Sequence, residues 1–326
     1  MKSYWIKTTN GRTALEPREL PIPQPEAGEI VLKVHASALN RGELFVGGVM
    51  HGGAYKPGGG EAAGTVYAVG DGVQGIQVGD RIMGRVKSPG GGFSEYAAMR
   101  DDQAIRIPER LNFEQAASIP VTWLVTYDML YPYGKLKKDE WLLALGASSG
   151  VGVSVIQMGK YIGAKVIGTS GSARKLEQLK TLGMDAGIET RAADFSARVN
   201  EITAGHGADL IVNSVGGSVF AEGIRTLAHK GRLATVGYVD GVLKAEIDLN
   251  KLHAQRLEVF GVSNSRLSLE DKAQCVRDFS RDVLPGFADG RIVPYIDRVF
   301  PFDQMSAAKA YMESNAQVGK IVIRVA

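Results

Sequence analysis

The sequence predicts a two-domain α/β fold, in which a small all-β domain accompanies a domain built on a doubly wound parallel sheet. One observation is a set of short β-type segments, separated by turn residues, between Ser3 and Asp101. Another is the regular alternation of strand and helix patterns after Pro120, which is typical of a parallel sheet covered by helices. The length of 326 residues is sufficient for two domains.

The individual elements follow from hydrophobic periodicity and from the positions of glycine and proline. In the first part of the chain, strands are predicted at 29–36, 64–69, 81–86 and 93–99. After residue 120, strands are predicted at 141–145, 165–168, near 187–188, 209–213, 232–236 and 257–262. Helices alternate with them at 150–162, 172–182, 195–204 and 218–227. The apolar stretch 123–130 is predicted to form the helix that joins the two domains.

The C-terminal tail, 268–326, departs from this alternation because it contains one or two helices and a final strand at 319–325. A single strand needs a sheet to join, and the sheet left unfinished is that of the β domain. We therefore expect one domain to comprise 1–122 with 264–326 and the other to comprise 123–263. A ligand cleft is expected between them.

Composition excludes several classes of function. The formal net charge is only +3, and the basic residues are interspersed with acidic ones, so nucleic acids and anionic membranes are not expected partners. No apolar run approaches the roughly 20 residues of a membrane span, and the N-terminal segment lacks signal-peptide features, which predicts a cytoplasmic protein. The single cysteine, Cys275, cannot form an intrachain disulfide and is interpreted as a structural thiol.

A glycine-rich turn, GASSGVG at 146–152, lies between the predicted strand 141–145 and the helix that follows it. Such a turn directs backbone N–H groups of the helix N-terminus toward a pyrophosphate. The strict dinucleotide pattern has glycine where this chain has Ala147 and Ser149. Glycine turns also occur for packing reasons, but a turn on the first strand of a βαβ unit favours a nucleotide. The expected pyrophosphate-binding residues are Ser148, Ser149, Gly150 and Val151.

The end of the second strand of this unit distinguishes the two nicotinamide cofactors. Enzymes that use NAD place an acidic residue there, on the ribose 2′-hydroxyl. This chain has GTSGSARK at 168–175, without an acid, and Ser170, Arg174 and Lys175 could bind a 2′-phosphate. The pattern favours NADPH. In the alternative interpretation, Arg174 and Lys175 belong only to the solvated first turn of a helix.

Taken together, the motifs resemble the quinone oxidoreductase branch of the medium-chain dehydrogenase/reductase superfamily. The segments that carry the resemblance are GASSGVG, GTSGSARK, NSVGG at 213–217, GGEAAG at 59–64 and VGDR at 78–81. Their order and spacing agree along almost the whole chain. The resemblance implies a GroES-like β-barrel catalytic domain completed by the tail, an inserted NADPH-binding Rossmann domain, and a homodimer.

The resemblance also implies roles for individual residues. Asn40 matches an asparagine near the nicotinamide, Lys175 matches a phosphate-binding lysine, and Val215 with Gly216 matches backbone that approaches the nicotinamide ribose. At the positions of Val125, Thr190 and Phe45, relatives often carry Thr, Tyr and a polar aromatic residue, respectively. Because the tyrosine replaced by Thr190 would contact the 2′-phosphate, the NADPH expectation depends on Ser170, Arg174 and Lys175. Further cofactor candidates lie at later strand ends or near the adenine ribose: Gly237, Val262, Ser263 and Thr190.

Zinc-dependent members of the superfamily hold their metal with a Cys in the first third, a His before the glutamate of a Gly-His-Glu triplet, and a later Cys. Here the first position aligns near Asn40 and the triplet is Gly59-Gly60-Glu61, so both ligands are missing. Glu61 is interpreted either as a structural acid of the β domain or as a residue near the nicotinamide. No metal is expected, because the remaining candidate ligands lack the spacing of a site: His35, His51, Glu61 and Cys275.

Without a Lewis acid, the substrate must itself delocalise the negative charge that hydride addition creates. A quinone or an α,β-unsaturated carbonyl does this, so the sequence predicts an NADPH-dependent reductase of such compounds. Tyr55 and Tyr238 are candidate proton donors or stacking surfaces, with simple packing as the alternative. Two other functions stay open: reduction of an enoyl thioester, and NADPH binding by a non-catalytic structural or regulatory protein.

Overall fold

The computed structural model describes residues 1–9, 12–44, 55–87, 90–264 and 266–326. Phe45 and His51, which entered the sequence-based expectations, lie outside these ranges. The chain divides into two compact units. The first unit contains Met1–Leu124 and Leu267–Ala326, and the second contains Val125–Arg266.

The described residues contain the following strands, in chain order: β1 Lys2–Thr9, β2 Arg12–Glu19, β3 Glu29–Ala38, β4 Tyr55–Pro57, β5 Glu61–Val69, β6 Arg81–Arg85, β7 Tyr96–Arg100, β8 Ala104–Arg106, β9 Trp141–Leu145, β10 Lys165–Ser170, β11 Ala186–Glu189, β12 Ala208–Asn213, β13 Leu227–Thr235, β14 Glu258–Gly261, β15 Ile296–Pro301 and β16 Lys320–Arg324. The α-helices are Arg41–Leu44, Phe113–Ala117, Pro120–Leu130, Gly150–Ile162, Ala173–Lys180, Ser196–Ile202, Phe220–Thr226, Leu249–Ala254, Leu269–Asp282, Leu284–Asp289 and Met305–Glu313.

The first unit is built on two sheets. A three-stranded sheet has the order β2-β1-β4, and a larger sheet has the order β15-β16-β3-β5-β6-β8, with β7 also paired to β3. The C-terminal strand β16 pairs antiparallel with β3, with Val322 opposite Ala38. This pairing confirms that the tail returns to the β domain, as expected from the sequence.

Two features of the first unit differ from the predicted elements. The strand predicted at 93–99 begins only at Tyr96, because Phe93 and Ser94 contact the three-stranded sheet instead: Tyr4 N–H donates to the Phe93 carbonyl, and Ser94 forms a bridge with Ser3. Strand β15 had no counterpart in the prediction. It carries Asp297 and Arg298 and ends at Pro301, a composition that suits the edge of a sheet but lacks a clear alternating pattern.

The second unit contains a six-stranded sheet with the order β11-β10-β9-β12-β13-β14, in which all neighbours are parallel. In the order of the chain this is the doubly wound arrangement 3-2-1-4-5-6. The central strand β9 is apolar and buried from Leu142 to Leu145 because helices cover both faces of a parallel sheet. The order in which strands are added to the sheet reverses between β9 and β12, and the carboxyl ends of these two parallel strands form the usual ligand crevice. The predicted fold class is confirmed.

The helix Gly150–Ile162 packs closely on β9. Its Gly159 faces Leu142 so closely that a Cβ on this glycine would lie 2.6 Å from a Leu142 methyl carbon. The helix ends at Gly163, which adopts φ +95° and closes the last turn. The bounds predicted for β9 and for this helix agree with the structure.

Two further findings concern the chain as a whole. Within the described ranges, no helix combines the length and the apolar character that a membrane span requires. Cys275 is buried in the helix Leu269–Asp282, with its Sγ 3.8 Å from the Leu124 carbonyl oxygen, which agrees with a structural thiol.

Candidate functional site

The glycine-rich turn after β9 is shaped for an anion. Gly146 adopts φ +74°, and Ser149 caps the following helix, its Oγ accepting a hydrogen bond from Gly152 N–H at 3.0 Å. A Cβ on Gly152 would lie 2.6 Å from the Ala147 Cα, so no side chain fits there. The N–H groups of Gly150 and Val151 belong to the first helical turn and have no intrahelical acceptor. They are therefore placed to bind a phosphate.

The structure explains why Ala147 can replace a glycine of the strict pattern. Its methyl group is buried and faces β10, where Gly168 leaves room for it. A Cβ on Gly168 would lie 2.7 Å from the Ala147 Cβ. The glycine at position 168 on the strand thus makes room for the alanine at position 147 in the turn.

Hydrogen bonds hold the neighbouring strand ends together around this turn. Thr169 Oγ1 on β10 accepts a bond from Gly146 N–H at 3.2 Å, and Ser214 Oγ after β12 donates to the Leu145 carbonyl at 2.8 Å. Asn213 Oδ1 accepts bonds from the N–H groups of Val215 and Gly216, each at 3.0 Å. Asn213 thus shapes the backbone expected to approach the ribose. Sequence reasoning did not assign it a role, although a buried amide at a strand end was a usable signal.

The later strand ends continue the same edge of the sheet. Val236 N–H donates to the Asn213 carbonyl at 3.0 Å, which places Gly237 and Tyr238 beside the β12 loop. Val262 N–H donates to the Thr235 carbonyl at 2.9 Å, and the exposed Ser263 follows it. The structure therefore brings the candidates from β9, β12, β13 and β14 to one edge of the second unit.

The loop after β13 is attached to the loop after β12 through Asp240. Its N–H donates to the Val215 carbonyl at 3.0 Å, and its carboxylate accepts bonds from the N–H of Ser218 at 2.9 Å and from its hydroxyl. Gly216, at φ +136°, faces this carboxylate so closely that a Cβ would overlap it. Asp240, which sequence reasoning missed, therefore positions the backbone at Gly216, which the resemblance had assigned to the nicotinamide ribose.

The end of β10 carries the expected basic residues together with one that was not predicted. Ser172 caps the helix Ala173–Lys180, accepting a bond from Lys175 N–H at 3.4 Å, so Arg174 and Lys175 lie in its first turn. Arg191, which follows β11, packs its side chain over Gly171. A Cβ on Gly171 would lie 2.9 Å from the Arg191 guanidinium carbon. No local sequence pattern marks Arg191, because it reaches this edge only through the pairing of β11 with β10.

One acidic group from a neighbouring strand also lies at this edge, although β10 itself ends without an acid, as expected from the sequence. Glu189, the last residue of β11, accepts a bond from Ala173 N–H at 3.1 Å. It pairs in register with Ser170, so the carboxylate comes from the neighbouring strand and not from β10. Thr190 hydroxyl donates to Asp194 Oδ1 at 2.6 Å and its N–H donates to the Ser170 carbonyl. Arg174, Lys175 and Arg191 therefore share this edge with the Glu189 carboxylate.

In the first unit, Asn40 and Glu61 form a buried polar group with Lys320. Glu61 is 0% exposed, and its Oε1 accepts bonds from Asn40 Nδ2 at 2.9 Å and from Lys320 Nζ at 2.8 Å. Its Oε2 accepts a bond from Val121 N–H at 2.6 Å. Lys320 Nζ also donates to Asn40 Oδ1 at 2.8 Å. Of the two interpretations of Glu61, the structural acid agrees with these contacts.

Of the donors suggested for a metal, the structure describes His35, Glu61 and Cys275, and these three do not assemble. Among the residues that the structure describes, no group of three or more His, Cys, Asp or Glu side chains is placed to hold a metal ion. His35 stacks on Phe113 with ring centroids 4.2 Å apart, and Glu61 is bound to an ammonium group. Gly60 has no side chain to offer. The candidate donors that the structure describes therefore do not supply the ligand set of a catalytic zinc.

The two candidate tyrosines have different surroundings. Tyr55, at the start of β4, is 38% exposed and its ring lies 4.9 Å from that of Trp5, with the Arg18 guanidinium 4.7 Å from its centroid. These contacts agree with a packing role on the three-stranded sheet. Tyr238 follows the candidate Gly237 at the strand edge of the second unit, and its carbonyl accepts a bond from Gly241 N–H at 3.0 Å.

An unpredicted acid, Glu43, lies close to the polar group of the first unit. Its carboxyl accepts a hydrogen bond from Gly60 N–H, and its buried Oε2 has no partner among the described residues. Burial raises the pKa of Glu43 to about 7, and the charge of Glu61 adds to the increase, whereas Lys320 and Lys56 oppose it. The carboxyl can therefore exchange a proton near neutral pH.

This carboxyl should make stability depend on pH. The pKa of Glu43 is about 7 in the folded state and 4.5, the reference value, in the unfolded state. Between pH 4.5 and pH 7, the carboxyl is therefore protonated in the folded protein and ionised in the unfolded chain. Stability therefore falls as pH rises through this window. Glu43→Gln is expected to increase the free energy of unfolding by about 2 kcal/mol near pH 8, and much less near pH 5.

Urea unfolding of both proteins at the two pH values measures this difference. The control is Glu109→Gln, an exposed glutamate of the same unit, which should change stability little at either pH. An equal effect of Glu43→Gln at both pH values would contradict the assignment.

Two family models match separate parts of the chain. The family model of the alcohol dehydrogenase GroES-like domain matches residues 26–109, and that of zinc-binding dehydrogenases matches residues 150–280. A phenolphthiocerol/phthiocerol polyketide synthase of Mycobacterium tuberculosis is 30% identical over 96% of this chain, which spans only 14% of that protein.

Two solved structures have the same architecture over almost the full length. Escherichia coli quinone oxidoreductase complexed with NADPH is 27% identical, with 100% of both chains covered and a TM-score of 0.88. The CurK enoyl reductase is 25% identical, with 98% of both chains covered and a TM-score of 0.80.

Proposed function

Because the chain belongs to the medium-chain dehydrogenase/reductase superfamily, we propose that it is an NADPH-dependent reductase that transfers hydride to a quinone or an α,β-unsaturated carbonyl without zinc. The observation that carries the proposal is the edge of the second unit, where the phosphate-binding turn and three basic residues lie at the ends of adjacent strands. The NADPH complex of the similar Escherichia coli enzyme supports the choice of cofactor.

Different residues of the second unit bind different parts of the cofactor. The N–H groups of Gly150 and Val151 bind the pyrophosphate, because donors in the first turn of a helix have no intrahelical acceptor. Arg174, Lys175 and Arg191 neutralise the 2′-phosphate, with Ser170 beside them. When bound, NADPH supplies a hydride. The candidates at the ends of β12, β13 and β14 line the same edge and position the ribose and the nicotinamide: Val215, Gly237, Val262 and Ser263.

The first unit supports an acceptor that needs no metal. Asn40, Gly60 and Glu61 do not offer a ligand set, since Gly60 has no side chain and Glu61 is paired with Lys320. Hydride addition to a quinone or to the β-carbon of an enone gives a phenolate or an enolate, which delocalises the charge. A hydrogen-bond donor then suffices to complete the reaction.

Reduction of an enoyl thioester is the second candidate, and the similarity to the CurK enoyl reductase favours it. The chemistry is the same hydride addition to a conjugated double bond. A thioester substrate differs from a quinone or a simple enone in its size and in the carrier to which it is attached. Activity with a crotonyl thioester but not with quinones would favour this alternative.

Steady-state oxidation of NADPH is the test. The acceptors are 1,4-benzoquinone, 9,10-phenanthrenequinone, an alkenal and a crotonyl thioester, with metal analysis of the same preparation. Oxidation with a quinone or the alkenal is the expected result. Cofactor binding without oxidation by any acceptor would favour a non-catalytic NADPH-binding protein, and stoichiometric zinc would contradict the metal-free mechanism.

We also propose that two copies associate through β14, the edge strand of the second unit. Val259 in this strand is 41% exposed and apolar. A twofold axis at the strand would bring both copies of this side chain together. Val259→Asp is therefore expected to convert a dimer into a monomer in sedimentation velocity, because like charges would face each other across the interface.

The control for this variant is Leu269→Asp, which changes an apolar side chain that is 53% exposed in the first unit. It should leave the sedimentation coefficient unchanged. A wild-type protein that sediments as a monomer would exclude the proposed dimer, as would a Val259→Asp variant that remains dimeric.

A further inference from the structure

The carboxylate of Glu189, the exposed last residue of β11, is bound to the start of a neighbouring helix. Its Oε1 accepts a hydrogen bond from Ala173 N–H at 3.1 Å. Ala173 is the first residue of the helix Ala173–Lys180, and N–H groups in the first turn of a helix have no intrahelical acceptor. The carboxylate therefore occupies a donor that a phosphate at this position would also use.

The pairing of β10 with β11 determines where this carboxylate lies. Ser170, the last residue of β10, is opposite Glu189 in a parallel ladder that ends at this pair. In a doubly wound sheet, the carboxyl end of the second strand is next to the adenosine ribose, and enzymes that use NAD place an acid there. The second strand of this sheet is β10, which ends in serine. The chain thus supplies an acid at the same place from the adjacent strand.

The charges at this edge suit two different ligands. Arg174 and Lys175 lie in the first turn of the helix, and the Arg191 side chain packs over Gly171. These three basic groups suit the 2′-phosphate of NADPH. The Glu189 carboxylate repels a phosphate, but as a hydrogen-bond acceptor it suits the ribose 2′-hydroxyl of NADH. Because one carboxylate does not cancel three basic groups, NADPH remains the preferred cofactor.

We propose that this edge binds NADH as well as NADPH and that Glu189 sets the ratio of the two affinities. The proposal rests on the reductase function given above, in which the same edge binds the cofactor. Glu189 accepts a hydrogen bond from the 2′-hydroxyl of NADH, and a carboxylate has enough lone pairs to keep its bond from Ala173 as well. With NADPH, the exposed carboxylate turns toward solvent and leaves Ala173 N–H to the phosphate.

Fluorescence titration with NADPH, NADH and 2′-deoxy-NADH tests the assignment. The wild type should bind NADPH about tenfold more tightly than NADH, and NADH about tenfold more tightly than 2′-deoxy-NADH, which lacks the hydroxyl. In Glu189→Ala, the affinity for NADH should fall by about tenfold and that for 2′-deoxy-NADH should stay the same. The affinity for NADPH should rise several-fold, because the repulsion is removed.

Two further variants separate this contact from a structural effect and from a general effect of charge. A distorted edge would weaken all three ligands, whereas Glu189→Gln keeps an acceptor for Ala173 N–H and should still shift the preference toward NADPH. The matched control is Glu177→Gln, which removes an exposed carboxylate on the same helix that is paired with Lys180. It should change none of the three affinities by more than about twofold.

The outcomes distinguish this proposal from the reductase function. A wild type that oxidises NADPH with an acceptor but binds NADH no better than 2′-deoxy-NADH overturns the role of Glu189 and leaves the reductase function intact. Unchanged affinities in Glu189→Ala also overturn this role, as does a wild type that binds NADPH but not NADH. A wild type that binds neither cofactor overturns the reductase function, and the role of Glu189 with it.

Discussion

Replacing Lys320 by methionine is expected to lower the free energy of unfolding by about 3–5 kcal/mol. Lys320 and Glu61 are both buried, with Nζ 2.8 Å from Oε1, and Lys320 also binds Asn40 and the Leu39 carbonyl. Removing the ammonium group leaves a buried carboxylate without its counter-charge. The loss is large because one partner is removed, not because the pair itself adds much net stability.

Chemical denaturation of Lys320→Met, Glu61→Gln and the double variant measures this effect. The double variant should recover part of the loss, since it removes both charges, and the difference gives the interaction energy of the pair. Lys180→Met is the matched control, because Lys180 and Glu177 form an exposed pair that should contribute less than about 1 kcal/mol. A loss below about 1 kcal/mol in Lys320→Met would contradict the prediction.

Replacing both Arg174 and Lys175 by alanine is expected to weaken NADPH binding by about 100-fold and to leave NADH binding nearly unchanged. Each residue supplies a charge-assisted hydrogen bond to a dianionic phosphate, worth about 1.5–3 kcal/mol. NADH lacks this phosphate and therefore gains nothing from them. Fluorescence titration with both cofactors measures the two affinities on the same preparation.

The control for this double variant is Lys180→Ala with Arg198→Ala, which removes two exposed basic residues of the same unit that are paired with Glu177 and Glu201. It should alter neither affinity by more than about twofold, since these residues lie on solvated helix faces. Equal losses for NADPH and NADH in Arg174→Ala with Lys175→Ala would show that the 2′-phosphate is bound elsewhere.

Arg191 and Glu189 at the same edge should have opposite effects. Arg191→Ala is expected to weaken NADPH binding by about tenfold, because it removes one of the three basic side chains proposed to bind the 2′-phosphate. Glu189→Gln is expected to strengthen it several-fold, because it removes a negative charge near the phosphate while an acceptor for Ala173 N–H remains. The same titrations, with NADH as the reference, measure both. An unchanged affinity in Arg191→Ala would exclude that residue from the site.

Parts of the fold could be predicted because the determining signals are local in sequence. The strand Trp141–Leu145 and the helix Gly150–Ile162 have the predicted bounds, since an apolar run, a capping serine and a terminal glycine define them. Strand β15 and the helix Leu249–Ala254 were missed because their residues are largely polar or partly exposed. Only the neighbouring strands and helices stabilise such segments.

In the candidate site, too, some residues could be predicted from local sequence patterns and others could not. Ser149, Gly150 and Val151 could be identified because a glycine turn between a strand and a helix has a sequence pattern. Arg191 and Glu189 could not, because they reach the edge through the pairing of β11 with β10, which no local pattern specifies. The surroundings of Tyr55 likewise became clear only when Trp5 and Arg18 were placed against its ring.

The sequence by itself determined the fold class, the phosphate-binding turn and the absence of zinc-binding side chains at the two positions, Asn40 and Gly60, where relatives bind zinc. These features depend on residue identity and on short spacings. Only the tertiary structure decided what replaced the missing groups. Lys320 is distant in sequence from Glu61, and Glu43 occupies the space above Gly60. Burial and charge act through space, so these two acids acquire different properties only when the folded chain brings their neighbours together.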